Sequence, residues 1–187
     1  MTLSADTSPK RSPATAVVGL LAEHLVAQWL VDQGWRILQR RWRGRQGELD
    51  LVAYQDGRAI ATLSFVEVKA RSRGSWDQDG RLAITPQKQT KLWRTAELFL
   101  SHYPAFNACT CRFDVALVRC ERSPVLRKPA GSPPLSNSVT ADGAVDVRID
   151  EAIAPDLSQF SPIQLGQAVS LSGYQLTLQD YIPNAFG

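Results

Sequence analysis

The chain has 187 residues, enough for one domain with a sizeable core, and its 44% hydrophobic and 21% charged residues are ordinary for a soluble globular protein. No apolar run approaches the roughly 18 residues of a membrane span, which argues against a membrane protein. The net charge of +3 is uneven: residues 1–128 hold 20 Lys and Arg against 12 Asp and Glu, and residues 129–187 hold one against six. That asymmetry is compatible with a polyanionic partner, and equally with a solvated, Arg-rich surface. The three cysteines, Cys109, Cys111 and Cys120, include one C-x-C without a second pair at zinc-ligand spacing. An odd count of thiols fits a reducing compartment, so a cytoplasmic location is expected. His24 and His102 are the only histidines and are not at metal-ligand spacing.

Residues 1–11 are polar and predict a disordered tail. Lys10-Arg11 ahead of AVVGLLA faintly resembles a signal peptide, but Glu23 and His24 interrupt the apolar run. Ser12-Pro13 instead predicts a helix start, with Ser as cap and Pro at the first helical position. The helix should run to about Gln33, with Gly34 as its C-terminal cap. Val18, Leu21, Ala22, Leu25 and Trp29 form its inward stripe, and His24, Gln28 and Asp32 its polar face. Glu23 is off that polar face, among Gly19, Leu20, Val26, Ala27 and Leu30. It either snorkels at the edge of the stripe or faces a site.

Trp35–Arg43 reads as the first strand and carries Arg36, Arg40, Arg41 and Arg43, with Arg45 in the turn that follows. Arg beside Trp suits phosphate contact and base stacking. It also suits an edge strand protected by charge. From Gly47 to Arg71 two runs of period 2 flank Asp56-Gly57, a β-hairpin signal. Glu48 and Asp50 share one face of the first run, Leu49 and Leu51 the other. In the second run Phe65, Glu67 and Lys69 share a face opposite Val66 and Val68.

A polar loop from Ala70 to Thr85 carries Arg71, Arg73, Arg81 and Trp76. Thr85-Pro86 opens a second helix, to about Tyr103, with Leu92, Ala96, Phe99 and Tyr103 inward and Lys88, Lys91 and Arg94 outward. Pro104 ends it. Arg112–Cys120 reads as another strand. Residues 121–162 are rich in Pro and Ser and predict a flexible insertion, with Ala144–Ile149 as one short strand inside it. Tyr174–Leu178 is the last strand expected. The organisation is thus a tail (1–11), a core (12–120), an insertion (121–162) and a segment completing the core (163–187).

The hairpin gathers Asp50, Glu67 and Lys69 on one side of mostly apolar strands, where charge is costly unless paired or metal-bound. Two neighbouring carboxylates repel unless a cation neutralises them. Oxygen donors from Asp50 and Glu67, with the carbonyl of Val68, suit Mg²⁺ or Mn²⁺, which polarises a phosphoryl group. Lys69 can orient or deprotonate an attacking water or steady transition-state charge. Glu23 can approach the same site from the first helix. The bland alternative is an exposed hairpin face with an ion pair worth about 1 kcal/mol or less.

GLLAEHLVAQWLVDQGWRIL, RRWRGRQGELDLVA, FVEVKARS, ITPQKQTKL, RFDVALV and IPNAF occur in this order over most of residues 19–119 and the last dozen. Together they resemble the YraN family of uncharacterised bacterial proteins. That family is similar in turn to archaeal Holliday-junction resolvases within the PD-(D/E)xK nuclease superfamily. The resemblance implies an α/β, restriction-endonuclease-like fold: a central mixed β-sheet flanked by helices, with an α-β-β-β-α-β core. It implies Glu23, Asp50, Glu67 and Lys69 as catalytic residues. Asp50, Glu67, Val68 and Glu23 would hold Mg²⁺ or Mn²⁺, with Glu48 as a neighbour. Arg41, Arg43, Arg45, Arg71, Arg73, Gln87 and Lys88 would contact nucleic acid, and the active species would be a homodimer without membrane attachment. The expected function is a Mg²⁺-dependent endonuclease acting on structured or branched DNA. The alternatives are a nucleic-acid-binding module of the same fold without turnover, and an interaction protein with no nucleic acid. The insertion at 121–162 and the absence of a Pro before the Asp depart from the pattern.

Overall fold

The computed structural model describes residues 13–57, 59–71, 84–123 and 157–187. Helix α1 (Pro13–Asp32) ends as its glycine predicts. Gly34 takes φ +83°, a left-handed conformation that favours glycine. The N–H groups of Gly34 and Trp35 then donate to the carbonyls of Val31 and Leu30, each at 2.9 Å, satisfying the helix end. The expected Ser12 cap lies outside the described residues.

Three strands follow, β1 (Arg36–Gly44), β2 (Gly47–Gln55) and β3 (Thr62–Arg71), then α2 (Pro86–His102), β4 (Thr110–Arg122), β5 (Ala168–Leu171) and β6 (Tyr174–Phe186). The sheet order is β1-β2-β3-β4-β6-β5. Only β3 and β4 run parallel, and the crossover such a pair needs is supplied by α2. One helix covers each face. Leu21, Leu25 and Leu30 of α1 pack with Leu51, Val66, Val118 and Leu176. Leu92, Ala96 and Phe99 of α2 pack with Leu49, Phe65, Phe113 and Val115. The protein is therefore α/β, with a mixed six-stranded sheet between two helices, consistent with a restriction-endonuclease-like fold.

Four expectations need correction. First, α1 has no open polar face at His24, which is 7% exposed, and Val26, Ala27 and Leu30 are fully buried. Leu157 and Ile163 join the same core, and Asp32 ties that segment down. Its carboxylate accepts from Ser161 Oγ (2.6 Å), the Ile163 N–H (2.8 Å) and Gln28 Nε2 (3.1 Å). Burial opposes ionisation there, but these three donors outweigh it and hold the carboxyl below its ordinary pKa. Second, Thr15–Asp32 is long and apolar enough to cross a membrane by length and composition; here Leu21, Leu25, Val26 and Leu30 are buried in the core, while Val31 is exposed. Third, β2 and β3 are joined by residues 56–61 rather than by a two-residue turn. Gly57 is required there, because a Cβ would collide with the carbonyl of Ile60. Fourth, the last strand runs through IPNAF, and β5 pairs with it from Ala168↔Thr177 to Leu171↔Tyr174. The expectations for residues 72–83 and 124–156, including the strand at 144–149, fall outside the described residues.

The length of β6 has a cause in Asp114, which is fully buried. It accepts from Ser64 Oγ (2.6 Å), Arg112 Nε (3.0 Å), Tyr181 OH (2.6 Å) and the Asn184 N–H (2.8 Å). Every donor comes from β3, β4 or β6, so one carboxylate stitches three strands. Burial, then the Asp114 charge, pushes the Tyr181 hydroxyl well above its ordinary pKa, so it stays a donor. All three cysteines are free, and burial pushes the Cys120 thiol up to about 12.

Asp114→Ala should destabilise the fold by about 3–5 kcal/mol, because Arg112 is left without its partner carboxylate. Tyr181→Phe should cost about 1.5–3 kcal/mol, the range of one hydrogen bond to a charged group. Urea unfolding of both variants checks the order. His24 gives a pH signature. Burial, then the Arg40 charge, depresses it from 6.5 to about 4, and Arg40 Nη1 lies 3.4 Å from His24 Nδ1. The unfolded chain therefore binds the proton first as pH falls below 6.5, and stability drops until about pH 4. His24→Gln should remove up to about 2 kcal/mol of the difference between the urea stabilities at pH 7 and pH 5.

Candidate metal and nucleic-acid site

Strands β2 and β3 pair only from Leu51↔Val66 to Gln55↔Thr62. Beyond that, β2 continues with β1 as far as Gly44↔Gly47, and β3 continues with β4 as far as Arg71↔Arg119. The two strands part at Asp50. In the fork, Asp50 Oδ2 accepts the Val68 N–H at 2.8 Å, so a side chain replaces a ladder bond. A strand residue points its N–H and C=O to the same side, so the Val68 carbonyl faces the fork too.

The fork coincides with an irregularity in β1. Arg41 lies between the pairs Arg40↔Leu51 and Trp42↔Leu49, and its φ of +50° is uncommon for any residue but glycine. The pleat inverts there. Leu49 belongs to the core under α2 and Leu51 to the core under α1, so these two leucines do not share the face their spacing predicts.

Glu67 sits in the middle of β3 with its side chain 6% exposed. Lys69, two residues on, places Nζ 2.7 Å from Glu67 Oε1. Lys88 reaches Glu67 Oε2 from α2 at 3.2 Å. Its position is set by the helix start: Thr85 Oγ1 accepts the Lys88 N–H at 3.3 Å, with Pro86 at the first helical position. The two lysines thus hold both Glu67 oxygens, Oε1 by a hydrogen bond from Lys69 and the buried Oε2 by the ion pair with Lys88. Burial, then repulsion from Glu67, raises Asp50 to about 6, against the opposing pull of the Val68 N–H, Lys88 and Lys69.

Asp50, Glu67, Lys69 and Lys88 thus form one electrostatic cluster in the fork. Glu23 joins it through Arg41, whose Nε lies 3.7 Å from Glu23 Oε2 and 3.0 Å from Glu48 Oε1. Arg43 Nε lies 3.5 Å from Glu48 Oε2. Arg41 and Arg43 therefore hold carboxylates in this structure. Arg45, Arg71 and Gln87 are exposed, and Arg73 lies outside the described residues. Among the described residues no three His, Cys, Asp or Glu side chains converge as a ligand set.

The donor set still fits a hard divalent cation. It is all oxygen, and its two carboxylates repel one another. Sequence reasoning missed the ion pair of Lys88, although TPQK, with Thr as cap and Lys three residues on, was its signal. It had no signal for the left-handed Arg41 or for the buried Asp114.

A family model described as the uncharacterised protein family UPF0102 matches residues 22–118. Relatives match over nearly their whole length. A UPF0102 protein of Trichodesmium erythraeum is 41% identical over 194 residues, covering 98% of this chain and 97% of the relative. One from Acaryochloris marina is 41% identical over 183 residues, covering 95% and 94%. One from Synechocystis sp. is 40% identical over 170 residues, covering 91% and 97%. The matched region takes in α1 from Ala22 onward, the fork and α2 together, and the chain belongs to the UPF0102 family.

Proposed function

We propose that this protein is a Mg²⁺- or Mn²⁺-dependent endonuclease that hydrolyses phosphodiester bonds in DNA, with structured or branched DNA as the preferred substrate. The observation that carries the reading is the fork itself: Asp50 and Glu67 beside Lys69, two buried neighbouring carboxyls in a place where strands part. The likeness of GELDLVA and FVEVKAR to the PD-(D/E)xK nucleases supports it. A divalent cation held by Asp50, Glu67 and the Val68 carbonyl would polarise the phosphoryl oxygen and neutralise charge there. The chain's own residues do the rest. Lys69 orients the attacking water, or takes its proton when neutral, as the water oxygen bonds to phosphorus. Lys88 steadies the negative charge that builds on the phosphoryl oxygens, while the P–O bond to the leaving sugar oxygen breaks and that oxygen gains a proton. Glu23 and Glu48 fix Arg41 beside Asp50. Exposed Arg45, Arg71 and Gln87 give the DNA strand its contacts, in a homodimeric, cytoplasmic enzyme.

A second reading is a nucleic-acid-binding module without turnover. It is favoured by the two lysines already pairing Glu67 and by the lack of a third converging carboxylate among the described residues.

Plasmid and synthetic four-way-junction DNA should be cut in Mg²⁺ or Mn²⁺, and Lys69→Ala should slow the cutting roughly 100-fold or more. A wild-type protein inert on every substrate, yet binding DNA in a salt-sensitive way that survives Asp50→Asn, would favour the second reading. Mn²⁺ should also raise the melting temperature, by an amount equivalent to about 2.7 kcal/mol at 100 times Kd. Glu67→Ala should abolish that increment, and an equal rise in the variant would remove Glu67 from the ligand set.

A further inference from the structure

On the side of the molecule where β1 turns into β2, the turn lies directly against α2. Gly44 permits the contact, since a Cβ there would sit 2.7 Å from Leu98 Cδ2 and 3.1 Å from the Trp42 ring. Gly47 is equally close, 3.0 Å from Thr95 Oγ1. Two cavities flank this contact. One, of about 420 Å³, is lined by Arg45, Gln46, Arg94, Glu97 and Leu98. The other, of about 390 Å³, is lined by Trp42, Arg43 and His102, and by the same Arg45 and Leu98. The shared residues make them one groove, and each part is within the range that holds a nucleotide-sized ligand.

Arg36, Arg41, Arg43, Arg112 and Arg119 are each paired with a carboxylate. Arg45 and Arg94 are not alone in lacking an ion pair among the described residues, since Arg71 lacks one too, but these two line the groove. Unpaired guanidinium forks are shaped for phosphate oxygens. Trp42 supplies an apolar wall, fixed edge-on against Phe99 at 5.3 Å and His102 at 5.8 Å. An acidic peptide would also suit the arginines. The position favours a nucleic acid strand. Lys88, in the fork, and Arg94 lie on the same helix six residues apart, about 9 Å along its axis and about 120° around it, so a strand joining them would cross the helix obliquely. The axial distance is roughly two to three nucleotide steps at ~3.4 Å each.

We propose that this groove is a second anchoring site, in which Arg45 and Arg94 grip the sugar–phosphate backbone of the nucleic acid strand that passes through the fork. The proposal rests on the nucleic-acid reading above and names one residue in the β1–β2 turn, Arg45, and one on α2, Arg94, that hold the strand at a distance from the reacting phosphate. Glu97, the one acid lining the groove, works against binding.

The test is fluorescence anisotropy of the full chain with a labelled 30-nucleotide DNA, single-stranded and duplex, in EDTA over a range of NaCl concentrations. Arg45→Ala/Arg94→Ala should weaken binding about tenfold or more and lower the salt slope by about two, one per lost phosphate contact. The same loss should appear in an Asp50→Asn background, because the groove does not depend on the fork. Glu97→Gln should tighten binding about two- to threefold, and this holds the proposal to account even if the double variant does not fold. A double variant that melts like wild type and binds DNA with unchanged affinity and slope overturns the groove and removes Arg45 from the DNA contacts, but leaves the chemistry proposed for the fork standing. A wild-type protein that binds no DNA overturns both. Binding of poly-glutamate that depends on Arg45 and Arg94, when DNA binding does not, assigns the groove to an acidic protein and overturns the proposal.

Discussion

The hydrogen bond from the Val68 N–H to Asp50 Oδ2 is the contact on which the candidate site depends. Where two strands separate inside a sheet, the inner edge of each exposes backbone groups that must find partners. Here the partner is an ionisable side chain. That choice buries a carboxylate beside Glu67, and burial first, then repulsion from Glu67, raises Asp50 toward neutrality. Lys69 and Lys88 then compensate Glu67 from two directions, one from the same strand and one from α2. The fork, the raised carboxyl and the lysine pair are therefore one electrostatic arrangement with a common origin in strand separation.

Much of this was legible in the amino-acid sequence because it rests on local rules. The period-2 runs around Asp50 and Glu67 locate β2 and β3, Gly34 locates the end of α1, and Thr85-Pro86 locates the start of α2. What escaped depends on distant residues. His24 reads as polar-facing because its helix position is polar, and it is buried because Leu157 and Ile163 close over α1 from far along the chain. Leu49 and Leu51 read as neighbours on one face because spacing assumes an unbroken pleat, and the left-handed Arg41 breaks it. That Asp50, Glu67 and Lys69 meet could thus be read from spacing, while the ion pair from Lys88 and the route by which Arg41 links Glu23 and Glu48 to them could not.

Arg41 also shows why charge counts mislead. An arginine on a basic strand suggests an open contact for phosphate. In the folded chain Arg41 lies within 4 Å of two carboxylates, and Arg43 shares one of them. The guanidiniums left for a ligand are set by which acids the fold brings close, and that is a property of the tertiary structure.

The stitching at Asp114 has a consequence for how the chain is made. Asp114 is 67 residues away from Tyr181 and 70 from Asn184, and Asp32 is 131 from Ile163. A ribosome that has delivered both helices and the first four strands has produced a fork and a core, but two carboxylates still wait for donors that have not been synthesised. Closing such long loops is entropically slow, and the native state becomes attainable only late in translation. The nascent chain therefore carries the residues of the fork for some time before it has the donors that tie β6 and the segment around Ile163 to the rest.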